Sequence, residues 1–301
     1  NTKERCLEIE ISNLSSGICR VSTPLLAETG SSGTYEIMGT SIISPGMKVS
    51  IEGRITESSA PLSIKTFIRP DGENTEMIYS NVVSPGTEGS FVLEIVAPDM
   101  DRPIKDVGIE ISGENKTGGR IAIDAVRVSG YPSMTITASR LLANRNFTGW
   151  IKDIDNSHIG FASDSEPVIY LSKNSGTGLL ATGTEQWTDY TIEAKIKIHM
   201  ADRGGILIRY QGLKRYIALV RKGSSIQLIK EYYGTTVLLE KAIDWPLDVP
   251  KTLKLNCTGS KITAWLDSEL IGTAEVSELT CGGAGFILEN GCIGLFHGKI
   301  D

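Results

Sequence analysis

The stretch Thr191-Ile192-Glu193-Ala194-Lys195-Ile196-Lys197-Ile198 alternates apolar and other residues without a fault. An extended chain points successive side chains to opposite faces, so this spacing predicts a strand with one buried and one wet face. Val49-Ser50-Ile51-Glu52-Gly53-Arg54-Ile55, Ser90-Phe91-Val92-Leu93-Glu94-Ile95-Val96 and Lys261-Ile262-Thr263-Ala264-Trp265-Leu266 read the same way. Clusters of Gly, Pro, Asn, Asp and Ser separate such runs about every ten residues, as antiparallel sandwiches require. Only Ser139 to Asn144 has helical character, and it amounts to a single turn. The expected fold class is all-β, with two antiparallel β-sandwich (jelly-roll) domains in tandem.

The boundary is expected near Tyr131-Pro132-Ser133, giving domains of residues 1–131 and 132–301. Gly118 to Val128 reads as a closing strand, and Met134 to Thr137 as an opening one. All four tryptophans (Trp150, Trp187, Trp245 and Trp265) lie beyond that boundary.

Composition narrows the function. Hydrophobic residues make up 40% and charged residues 22%, as in a globular chain. The net charge of −6 is spread without a basic block, which argues against nucleic acid, since phosphate binding needs clustered Lys and Arg. No apolar run approaches the ~20 residues of a membrane span. Asn1-Thr2-Lys3-Glu4-Arg5 leads straight into a strand-like segment and has no signal-peptide pattern, so the chain reads as a piece of something longer. Its compartment stays open, cytoplasmic or secreted in a bacterium. Five cysteines (Cys6, Cys19, Cys257, Cys281 and Cys292) show no CxxC spacing and read as free thiols. Cys281 and Cys292 flank an expected hairpin across which they would face each other. N-x-S/T stands at Asn13, Asn115, Asn146 and Asn256, without the secretory context that glycosylation needs.

In the first domain, Ser44-Pro45-Gly46-Met47-Lys48-Val49-Ser50, Phe67-Ile68-Arg69-Pro70-Asp71-Gly72, Val107 to Gly113 and Gly119-Arg120-Ile121-Ala122-Ile123-Asp124-Ala125-Val126-Arg127-Val128 follow one another. In this order they resemble galactose-binding-like jelly rolls, including carbohydrate-binding modules. That resemblance implies a structural calcium near the last strand, with Asp124 and Glu8 or Glu10 as candidate ligands. It also implies aromatic platforms for sugars. The aromatics here are Tyr35, Phe67, Tyr79, Phe91 and Tyr131, of which Phe67 and Phe91 alternate with core positions.

In the second domain, Trp187 to Ala194, Gly204-Gly205-Ile206-Leu207-Ile208-Arg209-Tyr210-Gln211, Arg215 to Leu219, Ile226 to Lys230, Lys251 to Leu255, Gly259 to Asp267 and Gly291-Cys292-Ile293-Gly294-Leu295 follow in order. This series resembles a concanavalin A-like (laminin G-like) sandwich. The tandem pair is similar to C-terminal extensions of bacterial ADP-ribosylglycohydrolase-family proteins, which implies a parent catalytic domain as partner.

Catalytic patterns are weak. Glycoside hydrolysis needs two carboxylates about 5 Å apart for retention, or about 6.5–9.5 Å for inversion. The close pair Asp267-Ser268-Glu269 falls where a two-residue turn is expected. There is no G-x-S-x-G, and His158, His199 and His297 are far apart in sequence. Gly282-Gly283-Ala284-Gly285 precedes a strand rather than the helix a phosphate loop needs.

What remains is binding. Arg209 and Gln211 alternate with Ile208 and Tyr210, and neighbouring strands add Arg215, Tyr216, Lys230, Glu231, Tyr232 and Tyr233. These would form a polar, aromatic-edged groove of the kind that grips sugars or the ribose and phosphate of a nucleotide, or else a solvated face over core tyrosines. Trp187 and Trp265 are assigned to the core, and Trp245, beside Asp244 and Pro246, to an exposed stacking position. The functional expectation is a non-catalytic carbohydrate-binding or accessory region whose partner is a glycan or glycosylated target. The alternative is a structural or interaction module packing against the parent enzyme. A glycoside hydrolase comes third.

Overall fold

The computed structural model describes residues 6–14, 17–25, 43–72, 75–143, 147, 149–161 and 166–301, so Tyr35 and Asn146 lie outside it. The described residues fall into two compact units, one within 6–98 and 103–130, the other comprising 99–102 and 131–301. Nearly every element is a strand, as the alternation requires.

The first unit carries β1 (Leu7–Ile11), β2 (Ile18–Pro24), β3 (Lys48–Ser58), β4 (Leu62–Pro70), β5 (Ile78–Tyr79), β6 (Val83–Gly86), β7 (Gly89–Val96), β8 (Ile104–Gly113) and β9 (Gly119–Ser129). Its two antiparallel sheets run β1-β9-β3-β7 and β2-β8-β4-β5, with β6 also on β4. The alternation in β3 and β7 buries Val49, Ile51, Ile55, Phe91, Leu93 and Ile95. Ile64 and Ile68 of β4 and Val107, Ile109 and Ile111 of β8 are buried as well. Phe91 is a core residue as expected, and Phe67 is likewise buried, with a Tyr79 ring edge 6.0 Å away. The polar half of the β3 alternation ties neighbouring strands together: Lys48 to Glu94 at 2.7 Å, Arg54 to Asp124 at 2.7 Å, and Glu52 to Arg127.

The second unit carries β10 (Met134–Thr137), α1 (Ala138–Ala143), β11 (Ile151–Asp153), β12 (Asn156–Phe161), β13 (Pro167–Thr182), β14 (Tyr190–Gly212), β15 (Arg215–Lys222), β16 (Ser225–Tyr232), β17 (Thr235–Ala242), β18 (Lys251–Thr258), β19 (Lys261–Leu266), β20 (Glu269–Glu275) and β21 (Gly283–Ile300). The hydrogen bonds join its twelve strands into one sheet, which the long strands fold over on itself. The first half of β14 pairs with β18, and its second half with β15. Ile198 and Gly204, six positions apart on β14, meet across the fold: a Cβ on Gly204 would lie 2.6 Å from Ile198 Cδ1 and from Ile293 Cγ2. The far edges also approach, since a Cβ on Gly272 of β20 would lie 2.8 Å from Leu239 Cδ1 of β17. The outcome is a two-layered, all-β sandwich. In one layer Ile192, Ala194, Ile196, Leu253, Leu255, Ile262 and Ala264 are buried, as the alternation predicts. In the other, Ile206 to Tyr210 and Tyr216 to Val220 are buried at every position, so both faces of that layer are covered.

Two expectations are corrected here. Strand β21 runs unbroken from Gly283 to Ile300 between β13 and β14, so no hairpin brings Cys281 and Cys292 together, and all five thiols are free. Trp265 lies on the face opposite Ile262 and Ala264, half-buried with Lys254 Nζ 5.5 Å from its ring, rather than in the core.

Candidate functional site

A cleft of about 870 Å³ opens at one end of the β14–β15–β16 layer. It is built by register. Arg203 sits opposite Glu289 on β21, and its Nε donates to Glu289 Oε2 at 2.6 Å. Gln227 sits opposite Glu240 on β17 and donates from Nε2 to Oε1 at 2.9 Å. Asn290 Nδ2 donates to Asp202 Oδ2 at 2.9 Å beside them. Gly291 makes this approach possible, because a Cβ there would stand 1.6 Å from the Met200 carbonyl oxygen. The two-residue turn Gly223-Ser224 then brings Arg221, Lys222 and Ser225 to the rim. Hydrogen bonds from Gln227 and then Ser225 hold the Glu240 carboxyl below the usual range, so it is ionised at neutral pH. A general acid needs the opposite shift.

The loop on the far side is fixed by Trp245, and this reverses the expectation of an exposed ring. Only 3% of Trp245 is exposed. Its Nε1 donates to the Val249 carbonyl at 2.7 Å, and its own carbonyl accepts Arg221 Nε at 2.9 Å. The indole anchors the loop whose exposed Leu247 lines the cleft.

The other sequence-predicted residues do not form one groove. Arg209 is 0% exposed. A bulge between Ile208 and Gly212 breaks the alternation, and Arg209 takes a left-handed φ of 54°. Its guanidinium turns inward, donating to the carbonyls of Gly259 at 3.0 Å and Leu279 at 3.3 Å, with Asp189 at 3.6 Å. Gln211 Nε2 donates to the Cys281 carbonyl at 2.8 Å. Tyr216 is buried in an apolar cluster with Leu207, Tyr210, Ala218 and Ile229. Burial foremost, then the Glu231 charge, pushes its phenol up to about 12. Lys230 is paired to Glu278 at 2.7 Å. Arg215 and Tyr232 do meet, guanidinium over ring at 5.8 Å, and the Tyr232 ring meets that of the exposed Tyr233 at 5.4 Å. This corner lies at the start of β15, whereas the cleft lies at its end, about 23 Å away at the usual strand rise.

Two of the three carboxylates implied for calcium face guanidinium groups. Asp124 Oδ1 is taken by Arg54 at 2.7 Å, and Glu10 faces Arg120 at 3.9 Å, while Glu8 sits opposite Ala122 on β1. Calcium asks for six to eight oxygens, and here Arg54 takes one of the Asp124 oxygens. Among the described residues no group of three or more His, Cys, Asp or Glu gathers in a way that could hold a metal. His158 and His199 do converge, though on the ring of Tyr170, at 5.0 and 6.0 Å. Asp267-Ser268 is the turn between β19 and β20, both residues at positive φ, with Asp267 held by Lys251 at 2.7 Å and Glu269 by Lys241 at 2.5 Å.

The cleft residues Asp202, Arg203, Gln227, Glu240 and Glu289 escaped the sequence reading. One signal was present: Gln227 is a polar residue facing inward in the apolar run Ile226 to Ile229.

The sequence matches no protein-family model and no curated protein. Among solved structures, the chain is similar to a carbohydrate-binding module from Bacillus subtilis, at 17% identity and a TM-score of 0.42, covering 49% of this chain and 91% of that one. It is also similar to a protein with a galectin-like fold from Bacillus subtilis, at 11% identity and 0.38, covering 52% and 90%. A third likeness is to a family 16 endo-glucanase from Bacteroides ovatus, at 10% identity and 0.38, covering 50% and 94%.

Proposed function

We propose that this chain is a non-catalytic carbohydrate-binding region and that its second unit binds the glycan in the cleft bounded by Arg203, Gln227, Glu240 and Glu289. The observation that carries the reading is the polar lining of the cleft, where carboxylate acceptors sit hydrogen-bonded beside guanidinium or amide donors across adjacent strands. A preformed concave site with a few convergent polar groups is the usual form of a small-ligand site. The tandem pairing of the two domains, which in sequence is similar to extensions of ADP-ribosylglycohydrolase-family proteins, supports a further proposal, that the chain serves as an accessory region to a catalytic partner.

A glycan array followed by calorimetry on the intact chain tests the site. Binding of at least one glycan, reduced several-fold by Gln227→Ala in a variant whose melting curve shows that it still folds, is the expected result; loss of one neutral hydrogen bond is of about that size. Binding that survives Gln227→Ala and disappears in Tyr232→Ala would place the site at the tyrosine corner instead. No binding to any glycan would remove the reading.

A further inference from the structure

Resting on that reading of the cleft, we infer that its ligand is an uncharged saccharide, held edge-on through adjacent hydroxyl groups rather than by stacking. The first observation is charge. Among the described residues the lining carries Arg203, Arg221 and Lys222 against Asp202, Glu240 and Glu289, so the cations and carboxylates balance. A site for uronates or sulfated sugars would carry a cationic excess, because every anionic oxygen accepts and none donates.

The second observation is the pairing. Arg203 with Glu289 at 2.6 Å, Gln227 with Glu240 at 2.9 Å and Asn290 with Asp202 at 2.9 Å each set a donor beside an acceptor. A hydroxyl both donates and accepts. Two neighbouring hydroxyls on a sugar ring can therefore give a proton to the carboxylate and receive one from the guanidinium or amide, using both members of a pair. An anion can use only the donor member and must face the carboxylate next to it.

The third observation is that, among the described residues, no aromatic side chain lines the cleft. Nothing there covers the apolar face of a pyranose, so the contact falls on the hydroxyl-bearing edge. Leu247 offers the exposed apolar contact.

The test compares matched oligosaccharides by calorimetry on the intact chain: neutral, uronate-bearing and sulfated, each at low and at high salt. Glu240→Gln and Arg221→Gln variants are measured alongside, with melting curves to confirm that they fold. The expected result is binding of a neutral oligosaccharide, little changed by salt because no net charge is neutralised, and weakened about tenfold by Glu240→Gln. O-methylation of the bound hydroxyls abolishes it. Preference for a uronate or sulfated oligosaccharide, with affinity that falls as salt rises and is lost in Arg221→Gln, overturns the inference yet leaves a saccharide site standing. Failure to bind any of the three classes sinks the saccharide reading itself.

Discussion

The Tyr190 hydroxyl accepts the backbone N–H of Arg209 at 2.8 Å and directs its own proton to the Gly282 and Gly283 carbonyls, each at 2.8 Å. One phenol thus ties the start of β14 to the bulge near its end and to the start of β21. The Arg209 guanidinium extends the tie by donating to Gly259 and Leu279. Tyr190→Phe keeps the ring and leaves a buried N–H without its acceptor. It should cost about 1–3 kcal/mol, read as a lower urea midpoint with an unchanged slope. Arg209→Met removes the cation and leaves its carbonyl partners unpaired; a loss of about 3 kcal/mol or more is expected.

The same burial fixes an alkaline limit. Desolvation, the largest cause, raises the Tyr190 phenol well above its usual value and carries that of Tyr216 to about 12. The folded state favours the neutral phenol, whereas an unfolded phenol titrates near 10. The stability these residues contribute is therefore complete below about pH 10 and is lost as pH rises from there toward 12. Melting temperatures recorded across that range should fall, and in Tyr216→Phe they should fall less steeply. An equal slope in the variant would rule out this assignment.

In the first unit the limit lies on the acid side. Burial is the largest influence on Glu110 and would raise its carboxyl. Hydrogen bonds from Lys65, Arg20 and Tyr79 together outweigh it and hold the group below its usual range. Glu110 accepts from Arg20 at 2.7 Å and from Tyr79 at 2.9 Å, and Lys65 lies 2.9 Å away. Its contribution is present above the unfolded carboxyl value near 4.3 and vanishes as pH drops through the lower folded value. Glu110→Gln should destabilise the chain at neutral pH and flatten the acid side of its stability profile. Denaturant titrations between pH 6 and about pH 3 compare the two proteins over the window that linkage defines.

How much of this was legible follows from the local pattern. Strands such as β3, β7 and the first half of β14 each bury one face, and there period-2 alternation placed Val49, Phe91 and Ile196 correctly. In β15 and β16 both faces are covered, so Tyr216 reads like a groove residue although it is buried. The bulge at Arg209 changes the register by a backbone twist that residue type does not announce. The cleft depends on pairings such as Arg203 with Glu289 and Gln227 with Glu240, set by strand order over long separations. Trp245 was misplaced because Asp244 and Pro246 suggest an exposed loop, while its indole N–H finds a carbonyl inside that loop.

The tyrosine corner makes the last prediction. Tyr233 holds a left-handed φ of 56° and is 74% exposed, with its backbone N–H donating to the Lys214 carbonyl at 3.0 Å. A bulky L-residue in that region is uncommon and costs about 1–2 kcal/mol, which Asn or Gly mostly avoids. The exposed ring gains little burial to offset the strain, its close contact being the Tyr232 edge at 5.4 Å. Tyr233→Asn should therefore raise stability by up to about 1 kcal/mol. Because the corner lies at the opposite end of β15 from Lys222, glycan affinity at the cleft should stay unchanged. A more stable variant that also loses its glycan would show that the strained tyrosine is kept for binding, and would move the site from the Arg203–Glu289 cleft to this corner.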